Sequence, residues 1–156
     1  MTPQQANDVW ERMVRAEVRS GYFADLASRY TKQKQWISGI SLLLASSGFA
    51  SFWADSPGVA PWLALIVAIA HAYSMASGLD KKAITMARLH VSWSRLAADY
   101  NHLWHHWYEV DADRVYADLL ARARDLSETA TTEAPRDEKL LDKWTDEVYA
   151  LYSPAR

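Results

Sequence analysis

No Asp, Glu, Lys or Arg occurs in two stretches of the chain, WISGISLLLASSGFASFW (residues 36–53) and VAPWLALIVAIAHAYSMASGL (residues 59–79). As helices, these 18 and 21 residues would be about 27 and 31 Å long, at roughly 1.5 Å per residue. The hydrocarbon core of a bilayer is about 30 Å thick. The pattern therefore predicts two membrane-spanning helices, joined by a short external loop at residues 54–58.

Basic residues flank the two predicted spans on the same side. Three precede the first span and three follow the second: Arg29, Lys32, Lys34, Lys81, Lys82 and Arg88. The loop between the spans has no Lys or Arg. Basic flanks stay on the cytoplasmic side of a membrane. The sequence thus predicts a bacterial inner-membrane protein with both termini in the cytoplasm.

The rest of the chain shows helical periodicity and no strand pattern. We expect an N-terminal cytoplasmic helix over residues 1–35 and a long cytoplasmic helix over 80–126. A polar linker at 127–136 and a terminal helix at 137–152 follow. The predicted fold class is an all-α membrane protein, in which a two-helix transmembrane hairpin is continuous with a cytoplasmic helical bundle.

Apolar residues recur at steps of three and four along the predicted long helix. They form a heptad seam: Leu89, Trp93, Leu96, Tyr100, Leu103 and Trp107. Such a seam packs against another helix. Two interpretations stay open, the core of the bundle and a contact between copies in a homo-oligomer, and we expect both.

The predicted hairpin carries a face of small and polar residues. Its members are Ser38, Ser41, Ala45 and Gly48 in the first span, with Ala68, His71 and Met75 in the second. Small residues allow close helix packing, whereas hydroxyls can line a wet path in an oligomeric pore. Likewise, His71 is either a pore-lining group or a neutral histidine with one interhelical hydrogen bond.

Few other patterns suggest chemistry. His102 and His106 lie four residues apart and are weak candidates for a metal site, but no HExxH motif accompanies them. No nucleophile motif or phosphate loop is present, so we predict no enzymatic activity and no cofactor. A net charge of −2 predicts no binding to nucleic acid, and the absence of cysteine excludes disulfides.

The segment AEVRSGYFADLASRY (residues 16–30), followed by Lys34 and the paired apolar runs, resembles the SLATT domain. The resemblance covers about residues 9–126. SLATT domains are bacterial two-transmembrane effector domains associated with nucleotide-signal-generating enzymes and other conflict systems. The resemblance implies a pore-forming or membrane-disrupting effector of anti-phage defence. A sensor or nucleotide synthase encoded nearby would trigger it.

Two functions are therefore expected as alternatives. In the first, the protein oligomerises in the lipid bilayer and forms a pore during abortive infection. In the second, it is a constitutive membrane anchor whose aromatic cytoplasmic bundle docks a partner protein. A metal-responsive membrane sensor that uses His102 and His106 is a third and weaker hypothesis.

Overall fold

A computed structural model describes residues 1–45 and 60–152 of the chain, and these residues form α-helices and no strand. The helices are α1 (Pro3–Ala45), α2 (Ala60–Ser77), α3 (Leu79–His105), α4 (Ala112–Glu133) and α5 (Glu138–Tyr152). The chain divides into two compact units. We call Met1–Ala27 with Ile84–Arg156 the bundle unit, and Ser28–Ala83 the apolar unit.

The membrane predictions are wrong on this structure. In the part of the chain that the structure describes, none of the helices has the length and the apolarity needed to cross a membrane. This finding overturns the predicted class of all-α membrane protein, its transmembrane hairpin, and its placement in the inner membrane with cytoplasmic termini. An all-helical architecture is what the described residues support.

Local sequence accounts for the difference between the predicted spans and the observed helices. The predicted second span had 21 residues, but α2 has 18 and ends at Ser77, because Gly78 adopts a left-handed conformation with φ of 59°. The helix is therefore three residues, or about 4.5 Å, shorter than the predicted span. The described part of the first predicted span, residues 36–45, is the end of α1, and Lys32 and Lys34 lie one turn before it.

The bundle unit buries one stripe of each of its helices. The buried set includes Val9, Met13, Val14 and Val18 of α1, Met86, Leu89, Trp93 and Leu96 of α3, Leu119 of α4, and Leu140 and Val148 of α5. Polar side chains occupy the outer faces. These are amphipathic helices of the kind that pack around a shared core.

Two boundaries in the bundle unit differ from the predicted ones. The predicted long helix is interrupted between His105 and Ala112, and α4 then continues to Glu133, through most of the predicted linker. The connection to α5 is short and held in place by Tyr22. The Tyr22 hydroxyl donates to the Pro135 carbonyl oxygen at 2.6 Å and accepts from the Asp137 amide at 3.1 Å.

The helices α1 and α5 approach each other closely at Gly21. A β-carbon at this position would overlap the indole ring of Trp144. The indole Nε1 donates to Asp25 Oδ2 at 3.2 Å, one helical turn beyond Gly21. Glycine therefore leaves room here for a large aromatic side chain to pack against the helix backbone.

Candidate interaction surfaces

The heptad seam lies inside the bundle unit. Five of its members are buried, namely Leu89, Trp93, Leu96, Tyr100 and Leu103, while Trp107 is half-buried. Trp93 Nε1 and the Tyr100 hydroxyl have no hydrogen-bond partner among the described residues. Burial raises the pKa of Tyr100 to about 12. This face of α3 is thus occupied by the chain's own helices.

The predicted hairpin face is only partly described. The side chains of Ser38 and Ala68 are exposed, whereas Ser41 is buried and its hydroxyl has no hydrogen-bond partner within the described residues. The remaining candidates lie outside the description: Gly48 altogether, and Ala45, His71 and Met75 as regards their side chains. The structure does not bring a polar face together from the three side chains that it describes.

The apolar unit instead presents large apolar side chains at its surface. We define the apolar surface as Trp36, Ile40, Leu42, Leu43, Trp62, Leu65, Ile66, Ile69 and Tyr73, each of which is about half exposed or more. Trp36 is 72% exposed and Leu42 is 75% exposed. Exposed apolar patches on this scale mark sites of association or ligand binding.

An apolar groove runs through this surface between α1 and α2. Its volume is about 550 Å³. Trp36, Ile37 and Ile40 of α1 form one wall, and Ile66, Ile69 and Tyr73 of α2 form the other. Its walls are predominantly apolar, so they can pack against the apolar face of another helix.

Charged groups are absent from the stretches that form this surface. Neither residues 36–45 nor residues 60–79 contain an Asp, Glu, Lys or Arg. Beside them, Lys34 Nζ pairs with Asp80 Oδ1 at 2.5 Å. Any occupant of the groove is therefore selected by shape and apolarity, because no opposite charge is available to attract it.

The histidine pair belongs to the bundle unit. The rings of His102 and His106 stack with centroids 4.2 Å apart and planes inclined by 18°. His106 Nδ1 donates to the His102 carbonyl oxygen at 2.8 Å. No group of three or more His, Asp or Glu side chains suited to a metal occurs in the described residues. The pair thus lacks a third ligand within that part of the chain.

No protein-family model, curated protein or solved structure matches this chain. The likeness to SLATT domains therefore stays a prediction from the residues quoted above, and the surfaces carry the functional argument.

Sequence reasoning missed two features of the bundle unit. One is the packing of the Trp144 ring against Gly21. The sequence holds no local signal for this contact, because the two residues are far apart in the chain. The other is a row of arginines on α1, Arg12, Arg15 and Arg19. Their spacing of three and four residues places them on one helical face, and this signal was available.

Proposed function

We propose that this chain is a self-assembling helical module with a role in assembly and not in catalysis. Copies join through the apolar surface of the apolar unit, and each copy carries a bundle unit. The observation that carries the proposal is the exposure of nine large apolar side chains on two neighbouring helices, with a groove between them.

A second copy of the chain is the occupant that fits best. The groove needs a partner surface that is apolar and free of charge, and the exposed side chains of Leu42, Leu43, Trp62 and Leu65 have that chemistry. Full burial of such a side chain contributes roughly 1.5–3 kcal/mol. Burial of five or six would be of the same order as the ~4–15 kcal/mol that association costs. A two-fold pairing, in which the apolar surface of one copy covers that of the other, buries both surfaces at once.

The bundle unit offers less for assembly. Of the three aromatic residues in its seam, Trp93 and Tyr100 are buried and Trp107 is half-buried. Its exposed apolar residues are spread over α3, α4, α5 and the connection between α3 and α4. The expected alternative, in which the aromatic bundle docks a partner protein, therefore has less support than self-assembly.

Cross-linking tests the proposed interface directly. The chain contains no cysteine, so a single introduced cysteine reports on one position. Ile69→Cys places a thiol in the groove, and Val110→Cys places one on the bundle unit, where Val110 is fully exposed. With a short bis-maleimide, we expect dimers from Ile69→Cys and almost none from Val110→Cys. Equal yields from both variants would show random collision and contradict the proposal.

Sedimentation equilibrium gives the strength of the association. We expect Ile69→Asp to raise the dissociation constant by about tenfold or more, because the charge must be buried in an apolar contact. The matched variant Val110→Asp should leave it within about twofold. Far-UV circular dichroism of each variant checks that the helices are retained. A wild-type chain that stays monomeric over the whole concentration range would overturn the proposal.

A further inference from the structure

A second cleft lies in the bundle unit, between α1 and α4. It has a volume of about 290 Å³. Arg12, Arg15 and Arg19 line it from α1, and Arg124 lines it from α4. No carboxylate is among its lining residues, all of which the structure describes. Four arginine residues therefore border one small volume.

The carboxylates around the cleft neutralise only part of this charge. Arg12 Nε pairs with Asp8 Oδ2 at 2.8 Å, and Arg15 Nη2 pairs with Glu11 Oε2 at 3.1 Å. Each of these acids precedes its arginine by one turn of α1. Neither Arg19 nor Arg124 has a carboxylate partner among the described residues. The cleft is thus positive by about two charges that the fold does not offset.

Arg19 is held in a fixed position at the edge of this cleft. Its Nη1 donates to Ser127 Oγ at 2.7 Å, and its guanidinium carbon lies 4.5 Å from the centre of the Trp93 ring. The Ser127 hydroxyl in turn donates to the Ala123 carbonyl oxygen at 2.8 Å. Burial, followed by the nearby charge of Arg15, lowers the pKa of Arg19. The guanidinium is therefore oriented before any ligand arrives.

From this arrangement we infer that the arginine cleft binds the dianionic phosphate group of a small phosphate monoester. Guanidinium groups offer paired N–H donors that match the oxygens of a phosphate. Arg19 and Arg124 would each supply such a pair from opposite sides of the cleft. Leu120 and Ala123 add an apolar wall, against which the carbon part of the ester would lie.

Repulsion among the arginines gives a second reason to expect an anion. Like charges that face one another across a small cleft oppose the folded state. A bound dianion removes that repulsion, and a ligand that binds only the folded chain stabilises it. Phosphate should therefore raise the melting temperature of the protein as well as bind to it.

Titration calorimetry at constant ionic strength tests the inference with three probes on the full chain: inorganic phosphate, phenyl phosphate and acetate. We expect phenyl phosphate to bind and acetate not to bind measurably. If inorganic phosphate binds as tightly as phenyl phosphate, the site recognises the phosphate group alone, which still supports it. Absence of binding by both phosphates, or equal binding of acetate, would overturn the inference.

Two charge-matched variants separate the cleft from general electrostatics. Arg124 is exposed and has no ion pair in the described structure, so Arg124→Gln removes a cleft charge without breaking a contact of the fold. We expect it to weaken phenyl phosphate binding by about tenfold. Arg88→Gln removes an exposed charge of the bundle unit outside the cleft, and should change binding by less than about twofold. Equal losses in both variants would contradict a specific site.

Phosphate binding and self-assembly use different parts of the chain, so each can be tested without the other. The arginine cleft lies in the bundle unit, whereas the apolar surface belongs to the apolar unit. Calorimetry of Ile69→Asp should consequently give the same phosphate affinity as the wild-type chain.

Discussion

The bundle unit and the apolar unit place similar side chains in opposite environments. Leu96 of the bundle unit is fully buried, whereas Leu42 of the apolar unit is largely exposed. Along α3, apolar residues occupy one stripe and charges the other, so neighbouring helices can cover the whole stripe. The uncharged runs of the apolar unit are apolar around most of the helix. Two helices bury only the side chains that face each other, and their other apolar side chains stay exposed to solvent.

Polar contacts accentuate the difference. In the bundle unit, hydrogen bonds join α1 to residues more than one hundred positions away, as from the Trp144 indole to Asp25 and from the Tyr152 hydroxyl to Glu17. Such bonds fix how the helices pack. In the apolar unit, the ion pair of Lys34 with Asp80 fixes only the margin of the uncharged surface. Each unit thus relies on a different kind of interaction.

The largest expected effect comes from shortening the same side chain in both units. Leu96→Ala should lower the free energy of unfolding by about 3 kcal/mol, because it leaves a cavity in the bundle core. Leu42→Ala should change it by less than about 0.5 kcal/mol, because the side chain is already in water. Urea denaturation at low protein concentration measures both. Similar losses would show that the apolar unit buries Leu42 as well, and the comparison would fail.

A smaller loss in the free energy of unfolding should follow from adding a methyl group at Gly21, where the Trp144 ring packs. Gly21→Ala adds a methyl group where the indole ring lies, and overpacking of this kind costs about 1–3 kcal/mol. In the apolar unit, Gly39→Ala should not destabilise the fold, because nothing lies within 4 Å of the added carbon. The double variant Gly21→Ala, Trp144→Leu should recover part of the loss. Equal thermal shifts for the two glycine variants would contradict the close contact.

The unpaired hydroxyl in the bundle core leads to a change of opposite sign. Tyr100→Phe should leave the free energy of unfolding unchanged or raise it by about 1 kcal/mol, because it removes a buried group that has no partner among the described residues. Tyr22→Phe should lower it by about 1 kcal/mol, since that hydroxyl makes two hydrogen bonds. A loss in Tyr100→Phe would mean that its hydroxyl is satisfied after all.

Acidification should produce the smallest effect, at Asp8. Burial alone would raise the pKa of Asp8, but hydrogen bonds from Tyr116 and Arg12 outweigh it and the pKa is lowered. The resulting stabilisation is complete above the unfolded pKa of about 4 and is lost as the pH falls through the folded value. We expect a few tenths of a kcal/mol, because the side chain is 43% exposed. Asp8→Asn should flatten the acid limb of a stability–pH curve, and an unchanged limb would refute this coupling.

Local sequence patterns predicted the helical class of the protein and the apolar character of its two uncharged runs. They could not predict what surrounds the apolar side chains. Residues 36–53 and 59–79 avoid charge, and this led to the prediction of membrane spans. The helix boundaries in the structure differ from those of the predicted spans. Gly78 ends α2 early, and α1 continues from a charged segment into the apolar run. The Pro135 turn was predicted as part of a long polar linker, whereas helix continues to Glu133. The hydroxyls of Ser127, Thr131 and Thr132 in α4 donate to carbonyl oxygens one turn back, which keeps their polarity compatible with a helix.

Sequence alone determined which residues of this protein are apolar and how they recur along the chain. It identified the heptad stripe of α3 and the uncharged runs, because hydropathy and periodicity are properties of the local chain. Only the tertiary structure decided what surrounds these residues: helices of the same chain cover Leu96, whereas Leu42 stays exposed to water. It also decided that Arg19 and Arg124 share a cleft. The physical reason is that a hydropathy value is the free energy of leaving water, and it does not specify the partner that is gained.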